Sequence, residues 1–323
     1  MANVDLFLMQ DIAPDDVTAM AQLAESIGCA NLWLIDGQDV FPDPWTTAAH
    51  CATVTSSIRI GPGVTNPLTR HPHVTANAAL SVHSLSGGRS ILGLGTGDNA
   101  VRTLGWRPAT LAQLRATIET CRQRFQSDGA DIPIFVAAAG PRTTELACEI
   151  ADGIIVPGRA ATPDDLRRII DRVETALHRC GRDPATLPIL PYLGMAISDS
   201  RVEALDDARG GVARRVLNFV GDEGTCPPEL EHLTAEMEVV AAAYDYSEHL
   251  KSHVAHASAV SDELVAAVSI AGTPDDVRPR FEELWDVAEG HNITFFLRPD
   301  GRNKRRTFEI FAHEILPTLP AAT

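Results

Sequence analysis

The sequence predicts an α/β protein built as a single (β/α)8 TIM barrel, and three observations support this fold class. Short apolar runs alternate with longer amphipathic ones along the chain, as repeated strand–helix units require. Eight of the apolar runs are suited to the parallel strands of a barrel. The first strand–helix turn, Met9-Gln10-Asp11-Ile12-Ala13, contains no glycine, whereas the competing doubly wound sheet needs a glycine-rich turn there to bind a dinucleotide.

The elements follow from hydrophobic periodicity and from helix-start signals. The predicted strands are Val4–Met9, Asn31–Ile35, Ile58–Val64, Ser90–Gly95, Pro133–Ala138, Gly153–Val156, Ile189–Ile197 and Ile293–Arg298. The predicted helices between them include Val17–Ile27, Val74–Leu85, Leu111–Phe125, Thr143–Ile150 and Leu166–Cys180. Helix starts are marked by Pro-Asp-Asp after Ala13, Thr162 and Thr273, where the acids face the positive end of the helix dipole.

The segment from about 200 to 290 is too long for one simple crossover. Helical patterns at Arg201–Phe219, Pro228–Tyr246 and Pro274–Ala288 predict a helical insertion after the seventh strand. Such an extension usually covers the carboxyl ends of the strands, where barrel enzymes build their active sites. We therefore expect one domain over residues 1–323.

Composition limits the classes of partner. Lys plus Arg number 27 against 43 Asp plus Glu, a net charge of −16, which disfavours binding to nucleic acid or to an anionic membrane. We find no signal peptide and no apolar run long enough to cross a bilayer. The six cysteines are scattered, as expected for reduced thiols. We expect a cytoplasmic protein that acts on a small molecule.

The third predicted strand exits through Gly61-Pro-Gly-Val-Thr-Asn-Pro-Leu-Thr-Arg-His-Pro72, which contains two glycines and three prolines. Both residue types impose special backbone geometry. One interpretation is a stiff loop leading into a helix, and the other is a bulge that presses backbone against a flat ligand. The fourth strand exits through Gly93-Leu-Gly-Thr-Gly-Asp98, where alternating glycines allow close approach of a ligand or form a tight turn that Asp98 caps.

The fifth strand exits through Ala137-Ala-Ala-Gly-Pro-Arg-Thr-Thr144, and the sixth is followed by Arg159. Helix amides together with Arg142 favour a phosphate site there. The basic run Arg302-Asn-Lys-Arg-Arg306 follows the last predicted strand, at a second common phosphate position in barrels, although such runs are more often solvated.

No metal site is predicted. His71 and His73 have the wrong spacing for one helix face, and the stripe of His249, His253 and His256 lacks neighbouring carboxylates. No nucleophile motif is present either, so a bound cofactor is expected to supply the chemistry.

Taken together, the motifs resemble those of the luciferase-like superfamily. They are most similar to its deazaflavin-dependent branch, which uses coenzyme F420 and is typified by methylenetetrahydromethanopterin reductase. The segments that carry the resemblance span most of the chain in order: Gly63–Pro72, Leu85–Arg89, Gly93–Asp98, Ala138–Arg142, Glu149–Gly153, Tyr244–His249 and Ala271–Pro274.

The resemblance implies an oxidoreductase that transfers a hydride between C5 of F420 and an electrophilic carbon of a small organic substrate. It also implies a cis peptide bond at Gly63-Val64, behind the deazaflavin ring, and a homodimer. Carried over by motif, the catalytic candidates are Asp36 and Asp98. The cofactor-binding candidates are Gly63, Val64, Thr65, Thr96, Gly97, Ala138, Ala139, Gly140, Arg142 and Gly158.

Two positions depart from the resemblance. The family often has Asp-His after the second strand, whereas this chain has Asp36-Gly37. The methanopterin reductases carry Glu in the first strand, where the match places Phe7. These departures disfavour the pterin reaction and leave two alternatives open: an FMN-dependent two-component monooxygenase that needs a reductase partner, and an inactive cofactor-binding barrel.

Overall fold

Parallel strands form the centre of the molecule, which is described by a computed structural model over residues 4–157, 161–220, 226–248 and 254–320. The strands are β1 Val4–Leu8, β2 Asn31–Leu34, β3 Arg59–Pro62, β4 Leu92–Leu94, β5 Ile134–Ala137, β6 Gly153–Val156, β7 Ile189–Ile197, β8 Ile270–Gly272 and β9 Phe295–Pro299. They pair in the order β3-β2-β1-β9-β7-β6-β5-β4, with β8 beside β7. Isolated bridges from Ile60 to Ser90 and from Thr65 to Leu94 nearly close β3 onto β4, which confirms the predicted barrel.

Helices follow the strands and cover the barrel. They are α1 Pro14–Ser26, α2 Pro44–Val54, α3 Pro72–Leu85, α4 Asn99–Arg102, α5 Leu111–Ser127, α6 Pro141–Ile150, α7 Pro163–Arg179, α8 Arg201–Val216, α9 Thr234–Ala242, α10 Ala255–Ser258, α11 Asp262–Val268, α12 Pro274–Ala288 and α13 Lys304–Ile310. Two of the three predicted Pro-Asp-Asp starts are capped by threonine, since Thr162 accepts from Asp165 N–H and Thr273 accepts from Asp276 N–H. No helix in the described ranges is long and apolar enough to cross a membrane.

Helix α2 was not predicted. Its buried face is made by Trp45, Ala48 and Cys51 at helical spacing, and the small size of two of these residues gives a weak apolar signal. Asp43 caps the helix by accepting from Trp45 N–H (2.9 Å) and Thr46 N–H (3.0 Å).

The insertion after β7 is only partly helical, which corrects the prediction. Strand β8 lies within it and pairs in parallel with β7, with Met195 opposite Ile270. The predicted helix Pro228–Tyr246 is a 3-10 turn over Pro228–Leu233 followed by α9, which ends at Ala242. Helix α8 and the elements after it share an apolar cluster that includes Val212, Met237 and Leu264.

Glu25, near the end of α1, fixes the turn before β3. Its Oε1 accepts from the backbone N–H groups of Ser56 (2.8 Å), Ser57 (2.5 Å) and Ile58 (3.1 Å). Burial alone would raise the pKa of Glu25, but these donors outweigh it and lower the pKa to about 2.

Replacing Glu25 by Gln is expected to lower the free energy of unfolding at pH 7 by about 1–2 kcal/mol, discounted for partial solvent screening. Because the folded-state pKa is depressed, the stabilisation is present above pH 4.5 and is lost as the pH falls towards 2. Urea unfolding of both proteins between pH 7 and pH 2.5 measures this. A constant difference between them across that range would contradict the assignment.

Candidate active site

The third strand ends in a bulge that lies half-exposed at the carboxyl end of the barrel. Gly63 and Val64 are joined by a cis peptide bond, as the resemblance implies. Gly63 N–H donates to the Leu34 carbonyl (2.8 Å), and Thr65 N–H donates to the Gly93 carbonyl (3.0 Å). The bulge is therefore fixed to β2 on one side and to β4 on the other.

Glycines on β4 make room for the bulge. A Cβ at Gly93 would lie 2.4 Å from the Pro62 carbonyl oxygen and 2.8 Å from Val64 Cγ1. A Cβ at Gly95 would lie 3.0 Å from Val64 Cγ2. The Val64 side chain thus packs against the part of β4 that has no side chains, which allows the bulge to approach this strand closely.

An aromatic layer lies beneath the bulge. Phe7 stacks on Phe296 with ring centroids 4.9 Å apart, and Tyr192 meets Phe7 edge-on at 5.7 Å. A Cβ at Gly63 would lie 2.8 Å from Trp33 Cβ and 3.2 Å from Phe296 Cζ, so the bulge rests directly on this layer. The floor of the site is apolar, and Tyr192 is its partly exposed member.

Asp36, the first candidate acid, is buried at the end of β2. Its Oδ2 accepts from Arg70 Nη1 (2.7 Å), and its Oδ1 accepts from Gln38 Nε2 (2.6 Å). Burial raises the pKa of Asp36 above its ordinary value, although Arg70, the Thr65 hydroxyl and Gln38 act in the opposite direction. The side chain is only 1% exposed, and its hydrogen bonds join the exit of β2 to Arg70 and Gln38.

Asp98, the second candidate acid, lies between two arginines. Its Oδ1 accepts from Arg102 Nε (2.8 Å), and its Oδ2 accepts from Arg214 Nη2. Burial opposes ionisation, but the Arg214 and Arg102 guanidinium groups outweigh it and hold the pKa of Asp98 below its ordinary value. Asp98 is therefore a carboxylate that links the exit of β4 to α8, with the half-exposed Thr96 and Gly97 beside it.

The exit of β5 carries the predicted phosphate-binding residues. Ala138 is buried, Ala139 is exposed, and Gly140 caps α6 without a side-chain hydrogen bond. The position of a Cβ at Gly140 is open space, and the first N–H groups of a helix have no partner within it. Arg142 is exposed in the first turn of α6, whereas Gly158 lies outside the described residues.

The basic run after β9 does not form an unpaired cluster. Lys304 Nζ donates to Asp11 (2.9 Å), Arg305 bridges Asp16 and Glu309, and Arg306 pairs with Asp199 (3.2 Å). Three of its four basic side chains, in Lys304, Arg305 and Arg306, therefore pair with carboxylates of this chain.

Two other features lie apart from the strand ends. His256 is buried with its ring centroid 4.5 Å from that of Tyr244, and His249 and His253 lie outside the described residues. Within the described ranges, no group of three or more His, Cys, Asp or Glu side chains could hold a metal. A groove of about 840 Å³ between α7 and α12 is lined by helix residues such as Asp164, Asp171 and Glu283.

Three site residues were missed by sequence reasoning. Gln10 donates to the Ile35 carbonyl (2.7 Å) and the Pro42 carbonyl (2.8 Å), and so fixes the loop after β2. Arg70 lies inside the third-strand motif, but its carboxylate partners are distant in sequence. Arg215 lies on α8, where Gly211 in the helix interior was a usable signal of close approach.

A nearly closed parallel barrel with its polar groups and backbone bulge at the carboxyl ends defines an enzyme-type (β/α)8 fold. Residues 3–288 match the family model described as luciferase-like monooxygenase, and the chain belongs to that family. It is 29% identical over 320 residues to a 5,10-methylenetetrahydromethanopterin reductase from Methanolobus tindarius, an alignment that covers 92% of this chain and 94% of the relative.

Solved structures give the same fold. The coenzyme F420-dependent tetrahydromethanopterin reductase from Methanopyrus kandleri superimposes with a TM-score of 0.79 at 24% identity, over 99% of both chains. An F420-dependent secondary alcohol dehydrogenase in complex with an F420–acetone adduct superimposes with a TM-score of 0.75 at 17% identity, over 99% of this chain and 100% of the other. These likenesses establish the barrel architecture of this chain.

Substituting Gly93 by Ala is expected to lower the free energy of unfolding by about 2–3 kcal/mol, because the new methyl group overlaps the Pro62 carbonyl and Val64. Gly140→Ala is the matched control, because open space surrounds its Cβ position and its φ of −106° suits alanine. The control should change stability by no more than about 0.5 kcal/mol. Urea denaturation of both variants measures the difference, and equal effects would show that Val64 is not seated on β4 as described.

Proposed function

We propose that this chain is a coenzyme F420-dependent oxidoreductase that transfers a hydride between C5 of the deazaflavin and an electrophilic carbon of a small organic substrate. The observation that carries the proposal is the Gly63-Val64 bulge, seated on the glycines of β4 above an aromatic floor. Relatives named as F420-dependent enzymes, aligned over most of this chain, support the choice of cofactor.

The residues present suit this cofactor. Val64 offers an apolar face that is half-exposed at the mouth, where a planar ring system can lie against it. The uncapped start of α6, together with Arg142, suits the cofactor phosphate, and Ala138, Ala139 and Gly140 leave room for backbone approach. Thr65, Thr96 and Gly97 lie at the neighbouring strand exits. Gly158 is retained as a cofactor-binding candidate on the resemblance.

When bound, the reduced deazaflavin supplies a hydride. The chain's contribution is to align donor and acceptor over the bulge, to exclude water with the aromatic floor, and to manage a proton. Asp36, whose pKa is raised by burial, is the group we assign to hold that proton. Asp98, whose pKa is lowered by its arginines, holds Arg214 of α8 at the exit of β4. Gly37 supplies no imidazole, so the acid–base chemistry cannot follow an Asp-His pattern.

The proposal also includes a cytoplasmic homodimer with one domain per chain, on the strength of the resemblance to the superfamily. Light scattering of the purified protein at micromolar concentration decides the oligomeric state.

Titration of the purified protein with F420 and, separately, with FMN tests the choice of cofactor. We expect quenching of intrinsic fluorescence with a micromolar Kd for F420 and no saturable response to FMN. Reduced F420 should then be oxidised in the presence of unsaturated or carbonyl acceptors. Tight FMN binding without F420 binding would replace the proposal by the two-component monooxygenase, and F420 binding without turnover of any acceptor would favour an inactive barrel.

Gly140→Glu tests the phosphate position. A carboxylate at the start of α6 is compatible with the helix dipole, so stability should hold, but it repels the cofactor phosphate. The Kd for F420 should rise at least about tenfold, whereas the Kd for the phosphate-free deazaflavin chromophore should stay within about twofold. Gln126→Glu, which adds the same charge to the exposed end of α5, is the control and should leave both values unchanged. Equal weakening of both ligands by Gly140→Glu would place the phosphate elsewhere.

A further inference from the structure

A buried arginine at the end of α8 has an unused hydrogen-bond donor. Arg215 is 4% exposed, and among the described residues its Nη1 has no hydrogen-bond partner. Burial lowers the pKa of Arg215 to about 10, with Arg298 contributing in the same direction, so the guanidinium remains charged at neutral pH. A buried charge without a dedicated partner is costly, and proteins retain few of them without a reason.

The nearby carboxylate of Asp300 is shared between this charge and the charge of Arg298. Asp300 is buried and is held by Arg298 through two contacts, Nε to Oδ1 and Nη2 to Oδ2, both 2.6 Å long. Arg298 is therefore the main basic partner of Asp300, and the charge of Arg215 acts on that carboxylate less strongly. Two buried guanidinium groups, those of Arg215 and Arg298, therefore share one carboxylate, and the cluster carries an excess positive charge.

Two glycines let this cluster pack directly against the backbone of β7 and α8. A Cβ at Gly194 on β7 would lie 2.8 Å from Asp300 Oδ2 and 3.2 Å from Arg215 Nη2. A Cβ at Gly211 on α8 would lie 2.1 Å from Arg298 Nη2. Because β7 side chains alternate, Gly194 shares a face with Tyr192, which belongs to the aromatic floor under the bulge.

Tyr192 supplies a second donor at the same place. The Arg298 guanidinium carbon lies 5.0 Å from the centre of the Tyr192 ring. Burial raises the pKa of Tyr192 despite the neighbouring Arg298, so the phenol keeps its proton. Tyr192 is partly exposed, and Phe296 connects it to the bulge, since the Phe296 ring centroid is 5.9 Å from that of Tyr192.

We propose that Arg215 and Tyr192 form an anion-binding recess that holds a carboxylate group of the substrate. This inference deepens the proposed function and rests on it, because only an enzyme of that kind would bind a substrate here. A carboxylate is planar, accepts from a guanidinium and a phenol together, and neutralises the excess charge of the cluster, whereas a neutral carbonyl would leave that charge in place. The free carboxylates of the γ-linked glutamate tail of F420 share this chemistry. They are the other group that could occupy the recess, and the test distinguishes them from the substrate.

Acetate is the probe, with acetamide as its neutral counterpart, in thermal unfolding at constant ionic strength. For the wild type, we expect the Tm to rise saturably with acetate and not with acetamide. In Arg215→Met the Kd for acetate should be at least tenfold weaker, and in Tyr192→Phe it should be weakened to a smaller degree. Arg201→Met, which removes a surface arginine of α8 that pairs with Asp276, should keep the wild-type response.

The outcomes separate the recess from a structural role and from the cofactor. A wild type without an acetate response, or an Arg215→Met variant that keeps it, would overturn the proposal. Replacing a buried charge that has no carboxylate of its own by an apolar side chain of similar length should not lower the Tm. If Arg215→Met does not fold, Arg215→Lys is measured instead. A folded lysine variant that keeps full acetate affinity, or failure of both variants to fold, would make Arg215 structural.

F420 binding distinguishes the two sources of carboxylate. An unchanged F420 Kd in Arg215→Met, with acetate not competing against F420, assigns the recess to the substrate. An F420 Kd weakened tenfold, with acetate competing, assigns it to the cofactor tail and overturns the proposal. An acetate response that depends on Arg215 in a protein that binds no F420 would leave the recess in place and refute only the proposed function.

Discussion

The close packing of Val64 against the glycines of β4 is the constraint on which the mouth of the barrel depends. Because Gly93 and Gly95 have no side chains, the bulge after β3 approaches β4 closely enough for backbone hydrogen bonds in both directions, Thr65 N–H to Gly93 and Gly95 N–H to Thr65. Together with the bonds between Ile60 and the segment before β4, those bonds nearly close the barrel between β3 and β4. The bulge also presents the apolar side chain of Val64 at the mouth of the barrel.

Around this face, arginine–carboxylate pairs join the strand exits to the covering helices. Arg70 links Asp36 after β2 to Asp43 at the start of α2, and Arg214 links Asp98 after β4 to α8. The pairs differ in their effect on protonation. Asp36 has a raised pKa because burial dominates, whereas Asp98 has a lowered pKa because two arginines dominate. Two carboxyl groups, at the exits of β2 and β4 on either side of β3, therefore have different protonation properties, which suits the proposed division between a proton-holding group and a fixed charge.

The barrel and the strand-exit motifs could be predicted from the sequence, because both depend on local residue patterns. Alternating apolar runs identified the eight strands of the barrel, and the glycine- and proline-rich exits identified where the backbone is unusual. Strand β8 was not predicted, because its three residues are too few to show a hydrophobic periodicity. Pairings such as Asp98 with Arg214, 116 residues apart, depend on tertiary geometry that no local pattern contains. The ion pairs of the basic run after β9 could not be predicted for the same reason, since its partners Asp11, Asp16 and Asp199 come from elsewhere in the chain.

Methyl spectra of protein labelled at valine, recorded with and without one equivalent of F420, test the central claim most directly. The account predicts that the deazaflavin shifts the Val64 methyl resonances and gives nuclear Overhauser contacts to them, while Val74, exposed on α3, is unaffected. Val64→Ala identifies the resonances. Saturable F420 binding that leaves the Val64 methyls unperturbed would show that the bulge does not face the cofactor, and would contradict the account.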